Sequence, residues 1–207
     1  MDNTQDDHLK AYGLVFWILE KEKKVDWLLN YKDGSFLCDV NNIITNEALI
    51  RGITYQVINT AQLNDIYLTI EKNNMDLIVL EKAPKIAVYS PEDKRPWDDA
   101  VTLALTYAEI QYDVVFDYEV LTDKLSKYDW LHLHHEDFTG QYGKFYKSQR
   151  HTAWYKKQEI DFKKIAFEHG FSSVHKLKKA IAIKIKSYII KGGFLFAMCS
   201  ATDSFDI

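Results

Sequence analysis

The run Gly192-Gly193-Phe194-Leu195-Phe196-Ala197-Met198-Cys199-Ser200-Ala201-Thr202-Asp203 sets an apolar segment without alternation between a double glycine and a turn of small polar residues. A strand with one wet face alternates apolar and polar side chains. A strand covered on both faces does not, and parallel sheets are built from the second kind. Upstream, Leu177, Ile181, Ile185, Tyr188 and Ile189 recur at helical spacing behind Ser172 or Ser173, either a suitable N-cap, and Gly192-Gly193 closes the helix. The alternation of strand and helix continues toward the N-terminus. Lys85-Ile86-Ala87-Val88-Tyr89 is a short β-type run that stops at Ser90-Pro91. Trp97 to Ile110 is a helix with Val101, Ala104, Leu105 and Ala108 on one stripe and Pro96 at its start. Asp113-Val114-Val115-Phe116 and Trp130-Leu131-His132-Leu133-His134 are further strands. This pattern predicts an α/β fold: an open, parallel, flavodoxin-like sheet with helices on both faces.

The first half is less regular. A helix is expected from His8 to Glu20 with Asp7 as N-cap, then a strand at Val25-Asp26-Trp27-Leu28-Leu29 and a turn ending in Asp33-Gly34. A helix around 46–51 stops at Gly52, Thr54-Tyr55-Gln56-Val57-Ile58 is a strand, and 59–71 a helix. Two regions follow: a small N-terminal α/β region over 1–82, and the parallel-sheet domain over 83–207.

Ligands of open α/β sheets bind outside the carboxyl ends of the strands. That rule gathers Ser90, the run His134-His135-Glu136-Asp137 and Cys199-Ser200 on one edge, far apart as they are in sequence. Cys199, between a buried strand and a small-residue turn, stands where a nucleophile elbow would hold a thiol, with a helix N-terminus favouring the reactive thiolate. The competing reading is a small hydrophobe that finishes a strand. The usual elbow has glycine two residues to either side, and here those places hold Ala197 and Ala201. His134, His135, Glu136, Ser90 and Ser200 are candidate ligand contacts. A metal needs three or four converging ligands and one short strand offers two at most, so neither a metal nor a cofactor is expected. His8, His169 and His175 look like surface or helix-end residues.

At 207 residues, 47% hydrophobic and 27% charged, the chain has the composition of a globular protein. A net charge of -4 provides no basic field for nucleic acid. The lysines from Lys144 to Lys191 lie opposite apolar stripes and are taken as solvated. Two cysteines make neither a disulfide framework nor a metal knuckle. No apolar run reaches the roughly 20 residues of a membrane span. The acidic, polar start is the opposite of a secretory signal, and the chain as written is expected in the cytoplasm. No phosphate-binding glycine loop is present.

The run from Gly192 to Phe205 resembles the class I glutamine amidotransferase-like superfamily, and within it the ThuA-like branch, where a Gly-Gly strand leads into a Ser-Ala-Thr-Asp turn. His8-Leu9-Lys10-Ala11-Tyr12-Gly13, Val25-Asp26-Trp27-Leu28-Leu29-Asn30-Tyr31, Pro96-Trp97-Asp98-Asp99-Ala100 and 128–143 are similar to Bacteroidetes proteins labelled asparagine synthetase B. The ligase reaction itself is not expected. Met1 is followed by Asp2 and not by a cysteine, and no Ser-Gly-Gly-x-Asp-Ser loop exists for ATP. The resemblance implies that relatives begin with an additional strand, often behind an export signal, and continue past Ile207. It also implies that the His and acid of an amidotransferase triad come after the nucleophile, so the sheet is incomplete at the C-terminus and the chain alone lacks glutaminase activity. Some ThuA-like relatives carry histidine where Cys199 stands.

The leading expectation is an amidotransferase-like α/β protein that takes a small polar molecule, with Cys199 as nucleophile or ligand contact and backbone N–H groups after it steadying an oxyanion. The rival is a non-catalytic sugar- or protein-binding module, in which Phe138, Tyr142, Phe145, Tyr146, Trp154 and Tyr155 form a stacking surface instead of a core-covering loop. A histidine-based metal hydrolase is the third. Self-association through the exposed C-terminal sheet edge is expected.

Overall fold

The computed structural model describes residues 2, 4–91, 100–134, 138 and 146–204. The chain divides into two units, Met1–Ala83 with Ala100–Gln111, and Pro84–Asp99 with Tyr112–Ile207. The helix between the first two parallel strands therefore groups with the N-terminal unit, although it lies inside the 83–207 region in sequence. No helix among the described residues is long and apolar enough to cross a membrane.

In the first unit α1 (His8–Glu20) starts at Asp7, whose carboxylate accepts from the Lys10 N–H. It leads to β1 (Val25–Leu28), which pairs antiparallel with both β2 (Ser35–Leu37) and β3 (Leu77–Leu80). Between those strands lie α2 (Asn42–Ile50), capped by Asn41, and α3 (Thr60–Lys72), which opens on a capping box of Asn59 and Gln62. The last helix of the unit is α4 (Ala100–Tyr107); the expected start at Pro96 and Trp97 lies outside the described residues. Leu14, Val15, Ile18, Val25, Ile44 and Ala48 form the core. Arg51, at the end of α2, binds Glu47 (2.8 Å) and Glu109 (3.1 Å), and Lys10 of α1 binds Glu109 too (2.6 Å).

The expected strand at 54–58 is corrected. The segment is extended but joins no ladder; it reaches neither β1, whose two edges are taken, nor the outer edges of β2 and β3. Those two strands were not expected; one has three residues and the other, Leu-Ile-Val-Leu, lacks alternation.

Asp7 also accepts from the Tyr107 hydroxyl, so it joins α1 to α4. That hydrogen bond first, and the Lys10 N–H second, hold its carboxyl below the usual carboxylate range. A carboxylate lowered by folding stabilises the folded state above its unfolded pKa, and the contribution fades as pH falls through the folded value. Asp7→Asn is therefore expected to flatten the loss of first-unit stability below about pH 4, checked by urea unfolding at a series of pH values. An unchanged acid limb would contradict it.

The second unit is an open, all-parallel α/β sheet, as the strand–helix alternation predicts. Its strands are β4 (Ile86–Tyr89), β5 (Asp113–Val115), β6 (Trp130–Leu133) and β7 (Phe194–Ala197), in the order β5-β4-β6-β7. Val88 pairs with Val114 on one side and with His132 on the other, and Leu133 pairs with Ala197. The helices are α5 (Asp117–Leu121), α6 (Tyr146–Gln149), α7 (Ala153–Glu168), α8 (Val174–Ile190) and α9 (Ser200–Ser204). Ser173 caps α8 through the Lys176 N–H. One face of the sheet, with Ala87, Tyr89, Leu131 and Leu133, packs with Phe162, Leu177, Ile181 and Ile185 of α7 and α8 in a single core. Burying each large aliphatic side chain contributes about 1.5–3 kcal/mol. On the opposite face His132 stacks on Phe196, and Trp130 meets Phe196 edge-on.

No helix was expected at α7. Phe138 and Tyr155 are core residues, at 0% and 1% exposure. The stacking-surface reading is thus corrected for these two, while Tyr146 stays exposed and Tyr142 and Phe145 lie outside the described residues.

Candidate functional site

Ser90, His134 and Cys199 follow the carboxyl ends of three adjacent strands, β4, β6 and β7. Register carries the alignment past the ladders. Val88 pairs with His132, which places Ser90 beside His134, and Leu133 pairs with Ala197, which places His134 beside Met198. Strands lie about 4.8 Å apart, so these positions are neighbours along one edge. The Ser90 N–H donates to the Val115 carbonyl (3.0 Å) and its hydroxyl to the Pro91 carbonyl (3.3 Å). His135 and Glu136 lie outside the described residues.

The turn that carries Cys199 is sharp. Met198 N–H donates to Leu133 O (2.9 Å), Cys199 takes a φ of +52°, and α9 begins at the next residue. A positive φ is uncommon for a side chain other than glycine, asparagine or aspartate, and such backbone is held only where its surroundings enforce it. They do so here in three places. Ala201 is fully buried in the core, its N–H reaches the carbonyls of His134 (3.2 Å) and Met198 (3.1 Å), and Thr202 gives both its N–H (3.2 Å) and its hydroxyl (2.6 Å) to the Cys199 carbonyl. Ala201 occupies the place of the usual elbow glycine and fills it with a methyl group. The Cys199 side chain is exposed, whereas Cys38 is half-buried and its thiol is pushed up, first by burial and then by Asp39.

The N–H groups of Ala201 and Thr202 already serve the carbonyls of His134, Met198 and Cys199, so neither can hold an oxyanion without rearrangement. His132 and His134 do share a face, their rings 6.0 Å apart, but His132 is fully buried with Nδ1 3.2 Å from the Phe196 carbonyl. It is a core histidine. Among the described residues no three His, Cys, Asp or Glu side chains converge as metal ligands.

Beneath this edge lies a polar cluster that sequence reading missed. Lys178 of α8 places Nζ at 2.8 and 2.9 Å from the two carboxylate oxygens of Asp117 and 2.9 Å from the Tyr89 hydroxyl, which itself donates to Asp117. Nζ also sits 4.5 Å above the Phe116 ring and 5.1 Å from that of Phe162. The reading of the C-terminal lysines as solvated is therefore wrong for Lys178, which is 3% exposed. The signal was present, since Lys178 falls on the Val174, Leu177, Ile181, Ile185 stripe. Tyr89 and Asp117 flank Ser90 and Phe116, so the ion pair pins the ends of β4 and β5.

No family model, curated protein or solved structure matches the chain.

Proposed function

We infer that the second unit is an amidotransferase-like α/β unit whose carboxyl edge takes a small polar carbonyl compound, with Cys199 at the point of contact. The observation that carries this reading is the +52° φ of Cys199 on a strand-to-helix turn at the carboxyl edge of a parallel sheet. Such a turn lifts a nucleophile clear of its own strand. Chain order supports it: taken in sequence, the strands lie second, first, third, fourth, the order in which a flavodoxin-like 2-1-3-4-5 sheet begins, with the switch between β4 and β6. Ser90 and His134 flank that switch. In the catalytic version the Cys199 sulfur attacks the carbonyl carbon, a C–S bond forms, and collapse expels a protonated amine to leave a thioester that water cleaves. His134 is the candidate base.

A second reading, binding without turnover, is favoured by the engaged N–H groups of Ala201 and Thr202, because acyl transfer gains much of its rate from donors aimed at the oxyanion. In either reading Cys199 is the reactive thiol. Iodoacetamide is expected to label Cys199 at least about tenfold faster than the half-buried Cys38, read by peptide mass mapping, and a panel of carboxamides should contain one that slows the labelling. Faster labelling of Cys38, or no protection by any carboxamide or carboxylate, would remove the site. Ammonia release that disappears in Cys199→Ala separates turnover from binding.

A further inference from the structure

Thr54-Tyr55-Gln56-Val57-Ile58 is rich in residues that favour strands, runs extended between α2 and α3, and belongs to no sheet. Its first residue is held at both backbone groups by one side chain: Thr54 N–H donates to Gln5 Oε1 (3.3 Å), and Thr54 O accepts from Gln5 Nε2 (3.2 Å). Beyond it, the backbone N–H and C=O groups of Tyr55, Gln56, Val57 and Ile58 make no hydrogen bond among the described residues. The same holds for Cys38, Asp39 and Val40, which continue β2 past its ladder. β2 is an edge strand with β1 as its one neighbour.

A cavity of 570 Å³ is lined by both of these segments. Phe36, Leu37 and Cys38 of the β2 segment, Tyr55, Val57 and Ile58 of the unpaired segment, and the apolar Leu14, Ile18, Ile44 and Ala48 all line it. A strand in a packed sheet fills about 3.3 Å along its axis, 4.8 Å to its neighbour and 10 Å between layers, roughly 160 Å³ per residue. The cavity thus suits about three to four residues of extended chain. Both segments are largely exposed, so their unpaired backbone groups are open to a strand that would replace water as their partner. A compact apolar ligand could fill the volume yet would leave the donors and acceptors of both segments as they are. Among the described residues, Asp2, Asp39 and Asp65 also line the cavity, against one basic side chain, Lys32.

We propose that this groove binds an extended, apolar polypeptide strand with basic flanks, supplied by a second protein, which hydrogen-bonds to the 38–40 segment on one side and to 55–58 on the other. It is strand addition with two edges instead of one. The site lies wholly within the first unit and does not depend on the role assigned to Cys199.

The probe is the capped peptide Lys-Val-Ile-Val-Ile-Lys, titrated into the full chain carrying Cys199→Ser so that Cys38 is the one thiol. Binding should slow alkylation of Cys38 and slow amide exchange at both 38–40 and 55–58. The same peptide N-methylated at alternate residues keeps every side chain, removes donors, and should bind at least about tenfold more weakly. Val57→Pro, which deletes one N–H at a residue whose side chain is mostly exposed, should weaken binding in the same way. Equal affinity of the N-methylated peptide, protection of only one segment, or no binding at all would each overturn the proposal.

Discussion

Lys178→Met is expected to lower the stability of the second unit by about 3–5 kcal/mol, while Lys178→Met combined with Asp117→Leu recovers most of that loss. The asymmetry follows from burial. Both side chains are almost fully enclosed, and Lys178 supplies two of the hydrogen bonds that reach the Asp117 carboxylate. Taking the cation away leaves an anion in an apolar core with the Tyr89 hydroxyl as its remaining donor among the described contacts. Removing both charges also removes the cost of burying them, and shape-matched apolar side chains among Phe116, Phe162 and Leu177 can fill the space. Tyr89→Phe should cost much less, about 1 kcal/mol, since the ion pair survives. Urea unfolding of these three variants, of Asp117→Leu alone and of the parent checks the claim, with the Lys178 and Asp117 variants analysed as a double-mutant cycle. Equal losses in the single and double variants would show that the pair does not act as a unit. The pair also bears on function: it anchors the residue before Ser90 and the start of α5, so a loosened cluster should blur the carboxyl edge before the whole unit unfolds.

The second large effect is expected at Gly13. Alanine is a better helix former than glycine by about 1 kcal/mol, so helix propensity alone predicts a gain from Gly13→Ala. Packing predicts the reverse. A Cβ at this position would lie 1.8 Å from the Ala108 carbonyl oxygen and 2.8 Å from its carbon. Those are backbone atoms at the end of α4, and no rotamer change clears them. Either α1 or the 108–110 turn must move, which would also disturb the Lys10, Arg51 and Glu109 ion pairs and the Asp7–Tyr107 hydrogen bond. A net loss of about 3 kcal/mol is expected, at the upper end for overpacking because the obstacle is main chain. Fluorescence of Trp17 and Trp27 during urea unfolding reports on this unit. A Gly13→Ala protein as stable as the parent would mean that α1 and α4 do not meet as described.

The features legible in the sequence were those set by local physics. Phe194 to Met198 could be read as a strand of a parallel sheet from its unbroken apolar run, and the short β-type runs at 86–89, 113–115 and 130–133 were legible too. The expected cover on both faces is corrected, since β7 is an edge strand and Phe194 and Phe196 are exposed. Asp7, and the pair Ser172-Ser173 of which Ser173 is the cap, were legible because a short oxygen-bearing side chain just ahead of an apolar-periodic run has a definite task, to accept an orphan N–H. The position of Cys199 between an apolar strand and a turn of small residues was legible too.

What only the tertiary structure decided were the questions of partnership. Thr54 to Ile58 has the composition of a strand, but a strand exists only where another edge lies alongside at pairing distance, and the chain brings 54–58 to no edge of the β2-β1-β3 sheet. Lys178 is indistinguishable by residue type from its solvated neighbours. Its burial depends on Asp117, distant in sequence, arriving at the same point. The hold on the Cys199 turn depends on β6 lying beside β7, since Leu133 and His134 supply carbonyls to the Met198 and Ala201 N–H groups. Sequence determines which residues are able to form a strand, a cap or a nucleophile. Whether they do is settled by long-range hydrogen bonds and charge pairs, whose partners no local pattern can name.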